Sequence, residues 1–314
     1  MAPCRSRAPA GRRGSAGFAA MTDSAAALNR GILLALASVA VGVSMDALAK
    51  HLTAAYAVLM LVWARYSFNS LGVLAWAVVA RRGVFTSHNL SLQLVRSALL
   101  AVCTVFMYSG LSYLPLSTTT AIGMVHPLVT TALAVPLLGE RVGWRRWIAI
   151  LVGFVGALVI IRPSFEALGW PVLLPVGMAL CYALYTLATR RLAAVDDSAT
   201  TVAWTPMVGT VMFTLALPWG WQTPTALDAG LLIGLGALGA GAHLLFVMAL
   251  RLAPAGVISP FSYSALVWSG LFGYVLFSEV PDRWTLLGAG LIAGSGLYVW
   301  ARERQLLRTR EAAR

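Results

Sequence analysis

The chain has 314 residues, of which 59% are apolar and 11% charged, and its mean hydropathy is +0.80. A soluble domain carries about 25% charged residues, so the composition excludes a water-soluble globule and places the chain in lipid. The net charge of +12 does not imply nucleic acid, because the basic residues sit in tails and short turns, as in the cytosolic loops of membrane proteins.

Residues 1–28 are rich in Ala, Arg, Gly and Ser, with Arg5, Arg7, Arg12 and Arg13 and no apolar core. They read as a disordered cytosolic tail and not as a signal peptide. Met21 opens a second candidate start, MTDSAAALNR. From Gly31 onward there are ten apolar segments: 31–49, 57–80, 91–111, 115–138, 146–162, 171–189, 200–219, 229–250, 254–277 and 284–301. Each is near the ~20 residues needed to cross the hydrocarbon core. In lipid, backbone polar groups must be satisfied within the segment, so all ten are expected to be helices. The expected fold class is an all-α integral membrane protein. The expected division is a first five-helix unit over 29–163, a second over 170–302, and a basic cytosolic tail over 303–314. Trp63, Trp170, Trp219, Trp221, Trp284 and Trp300 fall near segment ends, where interfacial anchors sit.

Orientation follows from the basic residues. With the N-terminus inside, the inner side collects 18 of them: the tail arginines, Arg30, Arg81, Arg82, Arg141, Arg145, Arg146, Arg190, Arg191, Arg251 and the C-terminal group from Arg302 to Arg314. The outer side keeps only Lys50, Arg162 and Arg283. Both termini are therefore expected in the cytoplasm.

The two units are weak copies. PLSTTTAIGMVHPLVTTALAVPLLGERVGWRRWIAILVGFVGALVIIRP starts at Pro115, and PAGVISPFSYSALVWSGLFGYVLFSEVPDRWTLLGAGLIAGSGLYVWAR starts at Pro254. Pro115 maps on Pro254 and Glu140 on Glu279, both at an offset of 139. Five is an odd number of crossings, so the second unit runs antiparallel to the first. Inverted repeats allow one packing scheme to form two states around a shared midplane site.

The hairpin LLGERVGWRRWIAILVGFVGALVIIRP closely resembles the EamA repeat of the drug/metabolite transporter superfamily, and LFSEVPDRWTLLGAGLIAGSGLYVWARE is similar to its C-terminal copy. The resemblance covers about residues 31–303. Ser278 departs from it, standing where the family usually has the glycine seen at Gly139. MDALAK in the first helix and GERVGWRRW look most like the branch that includes S-adenosylmethionine and riboflavin carriers. The resemblance implies a ten-helix carrier moving a small organic metabolite (an amino acid, S-adenosylmethionine or a riboflavin-like compound) across the inner membrane.

Two other classes stay open beside it. An integral-membrane enzyme needs a clustered catalytic set, and His51, His88, His126 and His243 show no HExxH or similar spacing. A sensor or assembly factor with a carrier-like fold would bind ligand without flux. No P-loop is present, so coupling to protons or to substrate exchange is expected. Cys4, Cys103 and Cys181 have no metal or CxxC spacing and read as packing residues; no metal, cofactor or catalytic residue is expected.

Asp46 and Lys50 lie four apart on the first helix, hence on one face, and Arg65 enters the second helix to a comparable depth. A central Asp or Arg costs about 2.5–3.5 kcal/mol on insertion scales. These residues therefore read as a substrate or proton site, or as a structural ion pair near the outer interface with Lys50 reaching outward. Arg96 reads as an inner-side anchor that extends its charge to the interface. Pro127 and Pro260 interrupt the fourth and ninth segments and free carbonyls toward a cavity. Around them stand Thr118, Thr119, Thr120 and His126, then Ser259, Tyr263 and Ser264. Tyr182, Tyr185 and His243 are further candidates, each weighed against ordinary helix packing. Gly290 and Gly294 form a GxxxG step, which suggests that the fifth and tenth helices pack away from the pathway and offer a homodimer contact. Glu140 and Glu279, at tight interhelical turns, are expected to cap the helix that follows each.

Overall fold

The computed structural model describes residues 13–80, 86–140, 142–161 and 169–312. Arg81, Arg82, Arg141 and Arg162 lie outside the described residues, as do residues 1–12. Among the described residues there is no strand, and ten helices are long and apolar enough to cross a membrane. They are α1 (Arg13–Thr53), α2 (Val58–Ala80), α3 (Leu90–Tyr113), α4 (Leu116–Leu138), α5 (Trp144–Ile161), α6 (Trp170–Leu192), α7 (Ser198–Ala216), α8 (Ala226–Leu252), α9 (Gly256–Phe277) and α10 (Arg283–Ala312).

α1 starts earlier than the composition suggests. Its helix is continuous from Arg13, through a stretch read above as tail. Between Ala16 and Leu28 six of thirteen residues are Ala and none is proline, and Ala is the strongest helix former, so nothing there stops the helix propagating backward from the span. Side-chain caps hold the starts of α3 and α8. The Asn89 side chain accepts from Leu92 N at 3.1 Å, and Thr225 Oγ1 accepts from Asp228 N at 3.1 Å.

The two marked hairpin turns have the same backbone. At the end of α4, Gly139 takes φ 69° and donates to Val135 O, while Glu140 N reaches Ala134 O. At the end of α9, Ser278 takes φ 57° and donates to Tyr274 O, while Glu279 N reaches Gly273 O. Both are left-handed C-terminal caps with the paired bonds of a Schellman motif. Serine replaces glycine in the second copy without changing the turn.

The largest interfaces between helices follow one exchange rule. α1 packs on α8 and α6 on α3; α2 packs on α8 and α7 on α3; α1 packs on α9 and α6 on α4. The remaining large interfaces pair a helix with its own counterpart: α2 with α7, α4 with α9, and α5 with α10. Swapping the first five helices for the last five leaves these interfaces unchanged, as a two-fold relation between the repeats requires, whereas the packing of α3 on α1 and α2 has no comparable counterpart between α8 and α6 or α7.

α5 and α10 meet through Gly156 and Gly288: a Cβ added at Gly156 would stand 2.9 Å from Gly288 O. The expected Gly290–Gly294 step does not make this contact, since a Cβ at either glycine would meet nothing within 4 Å. The reason is register, because residue 288 lies on the α5-facing side of α10 and residues 290 and 294 do not. α10 also does not stand clear of the interior, as described next.

Candidate functional site

The helix breaks open the bundle. α4 consists of two arms, Leu116–Gly123 and His126–Leu138, with Pro127 in the first turn of the second. Proline has no N–H, so the i−4 carbonyl bond is lost there. α9 has an α-helical start, a 3₁₀ stretch over Ser259–Tyr263 containing Pro260, and a second arm over Ser264–Phe277. Between these breaks and α1, α2, α3, α6 and α10 lies a cavity of about 630 Å³, within the ~300–1,000 Å³ usual for small-molecule sites.

Asp46, Arg65, His126, Pro127, Tyr182, Pro260 and Tyr263 all line this cavity. Asp46 and Arg65 are each partly exposed to it and form no ion pair with one another. Arg65 instead lies over the Tyr66 and Tyr108 rings, at 5.7 and 5.6 Å, with a long bond from Nη1 to Tyr108 Oη at 3.4 Å. The His126 and Tyr182 ring centroids are 4.4 Å apart.

Other residues sit elsewhere. Tyr185 does not line the cavity. It stands behind Tyr182, with centroids 5.6 Å apart, and its ring lies under Arg96 at 5.0 Å. Tyr182 and Tyr185 are three residues apart, and that rotation is enough to turn one ring inward and the other toward α3. Of the Thr118–Thr120 run only Thr120 reaches the cavity, and Ser264 and His243 do not line it.

Arg96 is not an interfacial anchor. It is 1% exposed, and its guanidinium donates to Thr189 Oγ1 at 2.9 Å, Gln93 Oε1 at 3.1 Å, Thr201 O at 3.1 Å and Thr205 Oγ1 at 2.6 Å. α6 and α7 close over it, and their hydroxyls and a carbonyl stand in for water. Gln93 Nε2 continues the network to Asp196 Oδ2 at 3.0 Å, in the α6–α7 loop. Burial alone would raise the Asp196 pKa, but bonds from Ser87, the His88 amide, Gln93 and the His88 ring hold its carboxyl below the usual range.

Lys50 is not Asp46's partner. Its Nζ lies 2.8 Å from Glu279 Oε1 and donates to Leu114 O at 2.6 Å. Glu279 Oε2 accepts from Leu116 N at 2.9 Å, at the start of α4 in the other repeat. The expectation that Glu279 caps its own following helix is corrected: Asp282 Oδ1 accepts from Thr285 N there, at 2.7 Å. Glu140 likewise turns to the other repeat, with its Oε1 3.4 Å from Arg190 Nη1 at the end of α6. Next to it Arg191 donates to Leu137 O.

Several lining residues escaped the sequence reading, among them Met45, Met107, Met124, Met178, Thr104, Thr131 and Thr186. A signal for them exists. Cavity positions run 35, 39, 42, 46 on α1, then 120, 124, 127, 131 on α4, and 178, 182, 186, 190 on α6. These steps of three or four trace one helical face each.

The EamA-like transporter family model matches this chain twice, over residues 29–162 and 169–300. A protein named as an S-adenosylmethionine uptake transporter from Rickettsia bellii is 27% identical over 287 residues, covering 91% of this chain and 99% of that one. A riboflavin transporter from Rhizobium johnstonii is 33% identical over 215 residues, covering 67% and 70%. A solved crystal structure with 18% identity aligns at a TM-score of 0.62 over 90% of this chain and 99% of its own, which shows the shared fold. With both repeats matched, the chain belongs to the EamA-like transporter family, a family of small-metabolite transporters and not of enzymes.

Proposed function

We propose that the chain is a secondary transporter of the inner membrane that moves a small organic metabolite by alternating access, with both termini in the cytoplasm. One observation supports this above the rest. Each end of the bundle carries a tie between a turn glutamate of one repeat and the basic end of the first helix of the other. At the Lys50 end the tie is tight: 2.8 Å, with the two side chains 13% and 22% exposed. At the Arg190 end it is loose: 3.4 Å, with the two side chains 53% and 47% exposed. Exchange of the repeats swaps Lys50–Glu279 for Arg190–Glu140, so the packing that seals one end serves equally to seal the other.

The cavity belongs to the loose end. It runs from Asp46 and Arg65 past Thr131 and Thr186 to Arg190 and Trp300, and it does not include Lys50 or Glu279. The bias of basic residues assigns the Arg190 end to the cytosol, making this an inward-facing arrangement. The names of the relatives bring S-adenosylmethionine and riboflavin to this chain as substrate types, and amino acids remain a third.

Counterflow tests the proposal. Purified protein is reconstituted into liposomes loaded with unlabelled S-adenosylmethionine, riboflavin or an amino-acid mixture, and entry of the labelled compound is followed. A transporter accumulates at least one of them transiently above empty liposomes. A compound that stabilises the protein but never exchanges would mark a sensor or assembly factor instead.

A further inference from the structure

We propose that the cavity takes a zwitterion carrying a planar ring. Its cationic group sits at Asp46, its carboxylate at Arg65, and its ring against His126 and Tyr182. The inference builds on the transporter reading for its purpose, while its geometry stands independently of flux.

The first argument is charge. Asp46 and Arg65 open into one cavity of about 630 Å³; they attract one another across it, but among the described residues neither has an ion-pair partner in contact. Ionisable groups inside a membrane ordinarily pair with one another or mark a substrate path. A ligand with a single charge gains at one of the two and is repelled by the other, because a cavity this size lies within the range of low-dielectric electrostatics. A zwitterion meets both with charge-assisted hydrogen bonds. The tyrosines around Arg65 favour the same use. The guanidinium carbon stands over the Tyr66 and Tyr108 rings at 5.7 and 5.6 Å, and only Nη1 bonds a tyrosine hydroxyl, which leaves other N–H groups for a carboxylate.

The second argument is an orphan hydroxyl. Thr120 is 6% exposed, lines the cavity, and its Oγ1 has no hydrogen-bond partner among the described residues. Buried hydroxyls are nearly always bonded, so this one is available to a polar ligand group. Third, the His126 and Tyr182 rings share the cavity lining with Met124 and Met178. Aromatic faces and thioethers together suit a flat heteroaromatic ring.

The test separates head from ring by thermal stabilisation of the purified protein, since a ligand of the folded form raises its melting temperature by mass action. The probes are S-adenosylhomocysteine and tryptophan (zwitterion with ring), adenosine and riboflavin (ring without zwitterion), and alanine (zwitterion without ring). At least one probe of the first pair is expected to stabilise, and adenosine, riboflavin and alanine are expected to bind at least tenfold more weakly. Arg65→Gln and Asp46→Asn are each expected to weaken that binding by about 10- to 100-fold, the loss of one charge-assisted bond. Arg65→Lys, which keeps the charge, should recover part of it and also shows that the fold tolerates change there.

Riboflavin, adenosine or alanine binding as tightly as the ringed zwitterions would overturn the proposal, as would no stabilisation by either ringed zwitterion. So would unaltered binding in both neutralised variants. Counterflow reads the transporter question apart from this one. Riboflavin exchange untouched by Arg65→Gln would end the zwitterion site and keep the transporter, whereas tight zwitterion binding without exchange would do the reverse.

Discussion

Glu279→Gln should open the sealed end. The substitution keeps an oxygen for Leu116 N and removes the charge that faces Lys50 at 2.8 Å. Fully exposed pairs are worth 0–1 kcal/mol, and breaking a fully buried one costs about 3–5 kcal/mol. With both side chains less than a quarter exposed, an intermediate loss of about 2 kcal/mol is expected, which moves a two-state equilibrium about thirtyfold. Under the proposed alternating-access cycle, the loss falls on the inward-facing state alone, because the pair is expected to form only there. The matched Glu140→Gln change removes a 3.4 Å contact between half-exposed groups and should shift the same equilibrium by about 0.5 kcal/mol or less. A Met107→Cys reporter near the cavity floor, in a chain lacking Cys4, Cys103 and Cys181, reads the outcome through a membrane-impermeant maleimide applied from outside. Labelling should rise steeply with Glu279→Gln and hardly at all with Glu140→Gln. Equal effects from the two variants, or no rise with Glu279→Gln, would refute the assignment of the sealed end.

Three further outcomes are expected. Ser278→Gly should raise the melting temperature, because a non-glycine residue at φ 57° carries a left-handed penalty of about 1 kcal/mol; an unchanged or lower value would contradict this. Arg96→Leu should destabilise the protein by about 2–3 kcal/mol in denaturant or thermal unfolding, since it strips partners from Thr201 O and Gln93 inside the bundle. The depressed Asp196 pKa makes a contribution that is present above the unfolded carboxylate value, about 4, and is lost as pH falls through the lower folded value. Wild type should therefore lose melting temperature between pH 4 and pH 2.5 (about the carboxylate range) more steeply than Asp196→Asn, with parallel curves as the contrary result.

Much of the architecture could be read from residue order, because hydropathy alone reports a helix that must satisfy its backbone in lipid. The repeat was legible for a similar reason: Glu140 and Glu279 end the same local turn, and a Schellman cap is a property of consecutive residues. What those glutamates touch was not legible. Lys50 and Glu279 are far apart in the chain and meet only because α1 packs on α9, so a local capping role was the natural and mistaken expectation. Arg96 fails the same way. Its position near the start of α3 suits an interfacial anchor, and only the closure of α6 and α7 over it converts it into a buried hub. Gly290 and Gly294 carry the small-residue spacing, yet the contact with α5 belongs to Gly288, since spacing specifies a face and not which neighbour it meets. Within the cavity, charged and aromatic residues stood out in an apolar chain, whereas Met178 and Thr186 could be found only from the four-residue steps that align them with Tyr182.

The most direct check of two antiparallel repeats is sidedness at their equivalent turns. Single cysteines at Gly143, before α5, and at Arg283, at the start of α10, are probed in intact cells and in inverted membrane vesicles with an impermeant reagent. Gly143→Cys should react only from the cytosolic side and Arg283→Cys only from the outside. Reaction of both from one side would contradict the inverted arrangement and the alternating-access account with it.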